Sequence, residues 1–186
     1  MAIRMLPEPR RGGFHRPFGA AQFIMDYLAG RGPDYGVGAV DPVRGAPQTD
    51  VHAAYNQAVL LVVARERANQ WEERAAQRQK RNLDMKRIEE LTQEYLLKPP
   101  RGYARMRYHS FLSYFAKLKA LGWVEATPEL LTGAPLTEPS SFQDYYPNAP
   151  SRSYYRLTDC GRGASADVVR DPLAALYGRG KLKANT

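Results

Sequence analysis

Between Tyr95 and Val124 the chain carries Lys98, Arg101, Arg105, Arg107, Lys117 and Lys119 and not one Asp or Glu. An unbroken positive stretch suits a polyanion, because Lys and Arg that neutralise phosphates release condensed counterions. A helix over 105–121, turned at 100° per residue, gathers Tyr108, Phe111, Leu112, Phe115 and Leu118 on one side. His109, Ser110, Ser113, Ala116, Lys117 and Ala120 fall on the other. Short outward side chains let a helix settle into the DNA major groove, and Arg105 and Arg107 would sit in the first turn, where groove-reading helices meet base edges. Lys98 and Arg101 precede that helix and would grip flanking phosphates. Against this stands the plain case of a solvated face, which is what most charge runs are.

Other chemistry finds less support. His15, His52 and His109 are far apart and have no cysteine at ligand spacing, so no metal site is expected. Cys160 is the sole cysteine; it excludes an internal disulfide and is read as a spectator thiol. Gly36 and Gly38 do not make a phosphate-binding loop. Asp26, Asp34 and Asp41 have no nucleophile or base in pattern beside them. No catalytic set and no cofactor are expected, and the chain is read as a non-enzyme. Phe142, Tyr145, Tyr146, Tyr154 and Tyr155 either stack single-stranded bases or pin a long loop to the core.

The whole chain has a formal charge of +8 and a pI near 9.7, so the acid-free stretch holds most of the excess. Arginine outnumbers lysine 20 to 7, which fits phosphate and guanine recognition but equally a GC-rich coding bias. The longest apolar run, residues 58–64, is far shorter than the roughly 20 residues a membrane span requires. The opening residues lack the apolar core of a secretory signal, so a cytoplasmic protein without a membrane partner is expected.

The elements that must carry these residues follow from punctuation and period. Residues 1–17 read as a basic arm, and 18–29 as a short apolar helix ended at Gly30. Residues 30–48, with five glycines and three prolines, form a long loop that packs on something or moves. From Gln48 to Lys98 there is no Gly or Pro, and Thr49 or Asp50 is a suitable N-cap. Two helices are expected there, about 50–80 and 84–97, with one continuous rod as the alternative; the polar stretch 72–82 is a solvent-spanning segment or a frayed joint. Lys98-Pro99-Pro100-Arg101-Gly102 breaks the chain before the basic helix, and Gly122 closes it. Residues 123–127 and 153–158 read as strands around a proline-rich loop, 128–150. Tyr155 and Leu157 face inward; Arg152, Tyr154 and Arg156 lie at the tip and outer face, within reach of the DNA backbone or minor groove. A weak helix, 164–177, is interrupted by Pro172.

Helix, turn, basic helix, strand, loop, strand is an order with a known counterpart. Leu121-Gly122-Trp123-Val124 and Tyr155-Arg156-Leu157-Thr158-Asp159-Cys160-Gly161 resemble the turn into the first wing strand and the second wing strand of winged helix-turn-helix regulators of the broad MarR/PadR-like type. The likeness covers about residues 103–162. It implies that 105–121 is the recognition helix and that 151–156 belong to the wing.

The expected fold is therefore mainly α with a small antiparallel β wing, a winged helix-turn-helix with a long additional helix. Its parts are an arm, short helix and loop (1–48), a long helix (49–83), a winged-helix unit (84–162) and a C-terminal helix with a basic tail (163–186). The expected function is binding of double-stranded DNA in transcription regulation. A protein-interaction subunit of a larger assembly is the alternative. A helix as long as 50–80 is expected to bury its stripe in a homodimer, or else against the helix at 18–29. A small-molecule effector, its identity unread, would find its pocket between 30–48 and 128–150.

Overall fold

A computed structural model describes residues 14–127 and 153–176. It is mainly helical with one small antiparallel sheet. Helix α1 (Ala20–Leu28) is apolar almost all round, and only Gln22 and Asp26 are even half-exposed. Such a helix belongs in the centre of a core. It ends at Gly30, whose φ of +83° is the left-handed conformation that glycine adopts without steric cost. The loop that follows packs on the core: Tyr35, in a 3-10 turn over Gly32–Tyr35, and Val37 are buried. Residues 30–48 thus close over α1, while 128–150, the other half of the expected pocket, lie outside the described residues.

That loop ends in an unforeseen two-residue strand, β1 (Ala46–Pro47). Helix α2 (Gln48–Gln79) starts directly from it, with extended Pro47 at the cap position. Neither Thr49 nor Asp50 caps the helix; both lie inside its first turn, where the Thr49 hydroxyl donates to Asp50. The first half of α2 buries Val51, Tyr55, Ala58 and Val59 in the main core. The second half pairs with α3 (Met85–Leu97), where Ala68 meets Ile88 and Leu91. Most of the stripe on α2 is thereby covered within the chain, by α1, α4 and α3, and Trp71 is the large apolar residue of α2 left exposed.

The two helices are separate, and the polar stretch 72–82 is neither a spanning rod nor a frayed joint. The chain reverses at Lys80, a non-glycine residue with φ +50°. Glu72 makes the reversal possible. Its enclosed carboxylate accepts two bonds from the Arg81 guanidinium and one from the Asp84 amide. Asp84 then caps α3, accepting from the Lys86 and Arg87 amides.

Helix α4 (Tyr108–Ala120) begins three residues after the expected Arg105. Gly122, with φ +69°, closes it and turns the chain into β2 (Val124–Ala126). Strand β3 (Tyr154–Leu157) pairs antiparallel with β2 on one edge and with β1 on the other, giving the order β1-β3-β2. Gly45 allows the β1 edge to close: a Cβ there would stand 2.0 Å from the Tyr155 carbonyl oxygen. The expected helix 164–177, interrupted by Pro172, is found as two short helices that part at Asp171, and a further short helix precedes them. These are α5 (Asp159–Gly163), capped by the Thr158 hydroxyl, α6 (Ala166–Arg170) and α7 (Pro172–Leu176).

One aromatic core joins all of this. Phe18 and Phe23 pack on Tyr55, Tyr55 on Phe111, Phe111 on Phe115, and Phe115 on Tyr155. The core crosses the expected boundary at 83/84. The helices that pack behind α4 are α1 and the first half of α2, whereas α3 lies along the far half of α2. Among the described residues no helix is long and apolar enough to cross a membrane.

Candidate nucleic-acid interface

Helix α4 is anchored by Phe111, Phe115 and Leu118, each with no exposed surface. Its opposite side exposes His109, Ser110, Ser113, Ala116 and Ala120, with Lys117 half-exposed at the edge. The helical period therefore assigns the outward face as expected. Two inward assignments are weaker: Leu112 is half-buried, and Tyr108 is 39% exposed, its ring set edge-on to His52 at 5.2 Å. The Ser113 hydroxyl donates to the Ser110 carbonyl at 2.7 Å, which occupies its proton and leaves its lone pairs facing outward as acceptors.

The late start of α4 has a cause on α2. Asn56, 4% exposed, accepts a 2.7 Å hydrogen bond from the Met106 amide through Oδ1. This fixes the orientation of its amide, so that Nδ2 faces the Met106 carbonyl at 3.3 Å and His52 Nε2 at 2.9 Å. His52 Nε2 also lies 2.7 Å from the Met106 carbonyl. That nitrogen takes one role at a time: it donates to Met106 or accepts from Asn56. Both backbone groups of Met106 are thus held by side chains instead of by helical partners, and residues 103–107 stay outside the helix. Arg107 occupies the cap position with φ −66° and ψ 142°.

The other side of this linker is held by the N-terminal segment. The His15 amide donates to the Gly102 carbonyl at 2.9 Å, and the Arg16 guanidinium donates to the Ala104 carbonyl. His15 is buried, with Nε2 2.8 Å from Glu66 Oε2; that is close enough for an ion pair when the ring is protonated, although the angle is not that of a hydrogen bond. Tyr103 adds a bond from its hydroxyl to the Asn56 carbonyl at 3.3 Å.

Arg105 and Arg107 therefore leave from a pinned, non-helical strap at the helix N-terminus, not from the first turn of the helix. Lys98, Arg101, Arg105, Arg107 and Lys119 are exposed. None of these five, nor Lys117, has a carboxylate partner among the described residues. Lys117 lies over the Tyr114 ring and Lys119 over the Tyr155 ring, each at 5.0 Å. Both also complement the carboxyl end of the α4 dipole, which accounts for part of their placement without any ligand. No side chain caps the first turn of α4, so its leading amides are open to an anion.

The sheet residues divide differently. Tyr155 and Leu157 turn toward the core, and Tyr154 and Arg156 toward the other face. Arg156 spends its guanidinium on Glu125, its cross-strand neighbour, at 2.9 Å. Its expected reach toward the DNA backbone or minor groove would have to compete with this pair. Tyr154 accepts a 3.2 Å bond from Arg44, whose guanidinium stacks 4.9 Å from the Tyr154 ring centroid. Arg152 lies outside the described residues.

Sequence reasoning missed Asn56, His52 and Arg44. The first two had a signal: polar residues four apart, inside an apolar helical stripe. Arg44 had none, since its partner is 110 residues away. Among the described residues, no group of three His, Cys, Asp or Glu side chains is placed to hold a metal. Comparison with protein-family models, with curated proteins and with solved structures finds no match.

Proposed function

We propose that this chain is a double-stranded-DNA-binding protein of winged-helix type acting in transcription regulation. Helix α4 enters the major groove, and the β2–β3 edge lies toward the backbone or minor groove. The observation that carries this reading is the outward face of α4: short, polar, free of acids and rigidly backed by Phe111, Phe115 and Leu118. A groove about 12 Å wide accepts a helix whose outward side chains are short. In this reading Arg105 and the uncapped first turn meet phosphate, while Arg107, His109, Ser110 and Ser113 meet base edges. In this reading the helix supporting α4 is the start of α2, and the α2–α3 hairpin is an insertion between the two DNA-side helices.

Binding of a labelled duplex measured across salt concentrations tests it. With up to five phosphate-contacting cations, Lys98, Arg101, Arg105, Lys117 and Lys119, the slope of log affinity against log salt is expected to approach about −4.5. A flat response removes the reading.

The homodimer is kept as part of this proposal, with its contact moved to the end of the α2–α3 hairpin. There Trp71, Leu83 and Met85 are 45%, 50% and 65% exposed. Two copies would place two α4 helices on successive major grooves about 34 Å apart. The same three residues favour the second reading, an interaction subunit of a larger assembly. Light scattering with and without duplex separates them: a dimer that shifts with DNA supports the first, a monomer indifferent to DNA the second.

A further inference from the structure

A cavity of about 500 Å³ lies between α1 and the C-terminal segment, with Tyr114 of α4 in its wall. Its size is that of a small-molecule site. Ala20 and Ala21 of α1 and Ala164 and Ala166 of the C-terminal segment line it, and their short side chains leave the space open. Buried Met25, Leu157 and Val169 supply further apolar lining.

The charged groups around it are mostly committed. Arg31 is bound to Asp26 at 2.7 Å and to Asp34 at 2.9 Å. The second oxygen of Asp26 accepts from the Tyr35 hydroxyl. Arg162 is held by Asp159 and by the Leu157 carbonyl. Arg170 lines the same cavity, is exposed, and has no acidic partner among the described residues. The lining thus offers an apolar slot with one uncommitted cation.

We propose that this cavity binds a small apolar molecule bearing a single anionic group, with the body between the alanine walls and the anion at Arg170. Burial of the body supplies most of the affinity, and Arg170 selects charge. Tyr114 gives the site a route to α4, because its ring lines the cavity while the Lys117 ammonium lies 5.0 Å from its centroid. An effect of the ligand on DNA binding rests on the function proposed above; the site itself does not.

The test uses the full chain and two fluorescent probes, 8-anilinonaphthalene-1-sulfonate and its uncharged relative N-phenyl-1-naphthylamine. Both are expected to bind saturably at one site. Ala166→Trp and Ala29→Trp, each at an exposed lining position, fill the slot from opposite walls and should abolish binding of both probes. Arg170→Gln should weaken the sulfonate about tenfold, the worth of one hydrogen bond to a charged group, and leave the neutral probe unchanged. Absence of saturable binding to the folded wild-type chain overturns the site, as does binding that both Trp variants retain. An equal effect of Arg170→Gln on both probes overturns the anion assignment. A chain that binds the probes but no duplex keeps this site and loses the DNA reading.

Discussion

Asn56 Oδ1 accepts the Met106 amide at 2.7 Å, and through this bond a residue in the third turn of α2 decides where α4 begins. Removing it orphans a partly buried backbone donor just ahead of the proposed recognition helix. Asn56→Ala is expected to cost about 1–3 kcal/mol, the penalty of an unsatisfied buried group. Asn56→Asp keeps the acceptor but sets its second oxygen against the His52 and Met106 carbonyls, so it should destabilise as well. Urea unfolding gives the energies. Amide exchange at Met106 and Phe111 should accelerate in the Ala variant; unchanged exchange there would refute the positioning role.

The interface predicts a split among its variants. Arg107→Ala and Ser113→Ala should relax sequence preference by about 1–3 kcal/mol, as loss of a base contact does. Lys119→Ala should weaken all duplexes alike and reduce the salt slope by about 1. Arg156→Ala should leave the slope unchanged, because its charge is already matched by Glu125. Competition binding with scrambled duplexes at several salt concentrations separates these outcomes.

Acid should loosen the α2–α3 reversal. The Arg81 guanidinium, followed by the Asp84 amide, holds the Glu72 carboxyl below its ordinary value of 4.5. Immediate partners cover it at the end of a hairpin, so its shift reflects these bonds and not a deep interior. A depressed folded pKa contributes stability that is fully present above 4.5 and is lost as the pH falls from there through the folded value. Thermal unfolding of wild type and Glu72→Gln, compared at neutral pH and near pH 3, should show the variant less stable at neutral pH and the gap closing in acid.

Gly45 should not tolerate a side chain. Its φ is +74°, and the added methyl would meet the Tyr155 carbonyl. The left-handed conformation alone costs an L-residue about 1–2 kcal/mol, and the clash adds to it. Gly45→Ala is expected to detach β1 and lower the melting temperature by several degrees, as about 2 kcal/mol does in a domain of this size. Loss of exchange protection at the β1–β3 edge would locate the damage.

Much of this molecule was written locally. The spacing of Phe111, Phe115 and Leu118 marked the inner side of α4 and therefore its outer side, because a 3.6-residue period leaves no other choice. Gly122 marked its end, and the alternation from Tyr154 to Leu157 marked a strand. The separation of Lys and Arg from acids between Tyr95 and Val124 was visible before any fold was known.

The tertiary structure decided what depended on partners far along the chain. Ala46–Pro47 is a strand only because Tyr154 and Tyr155 pair with it. The start of α4 moved from Arg105 to Tyr108 because Asn56, 50 residues earlier, claims Met106. Arg156 looked free until Glu125 appeared opposite it. Periodicity and turn chemistry act over a few residues, whereas a buried hydrogen-bonding group takes whichever partner the packed core brings to it.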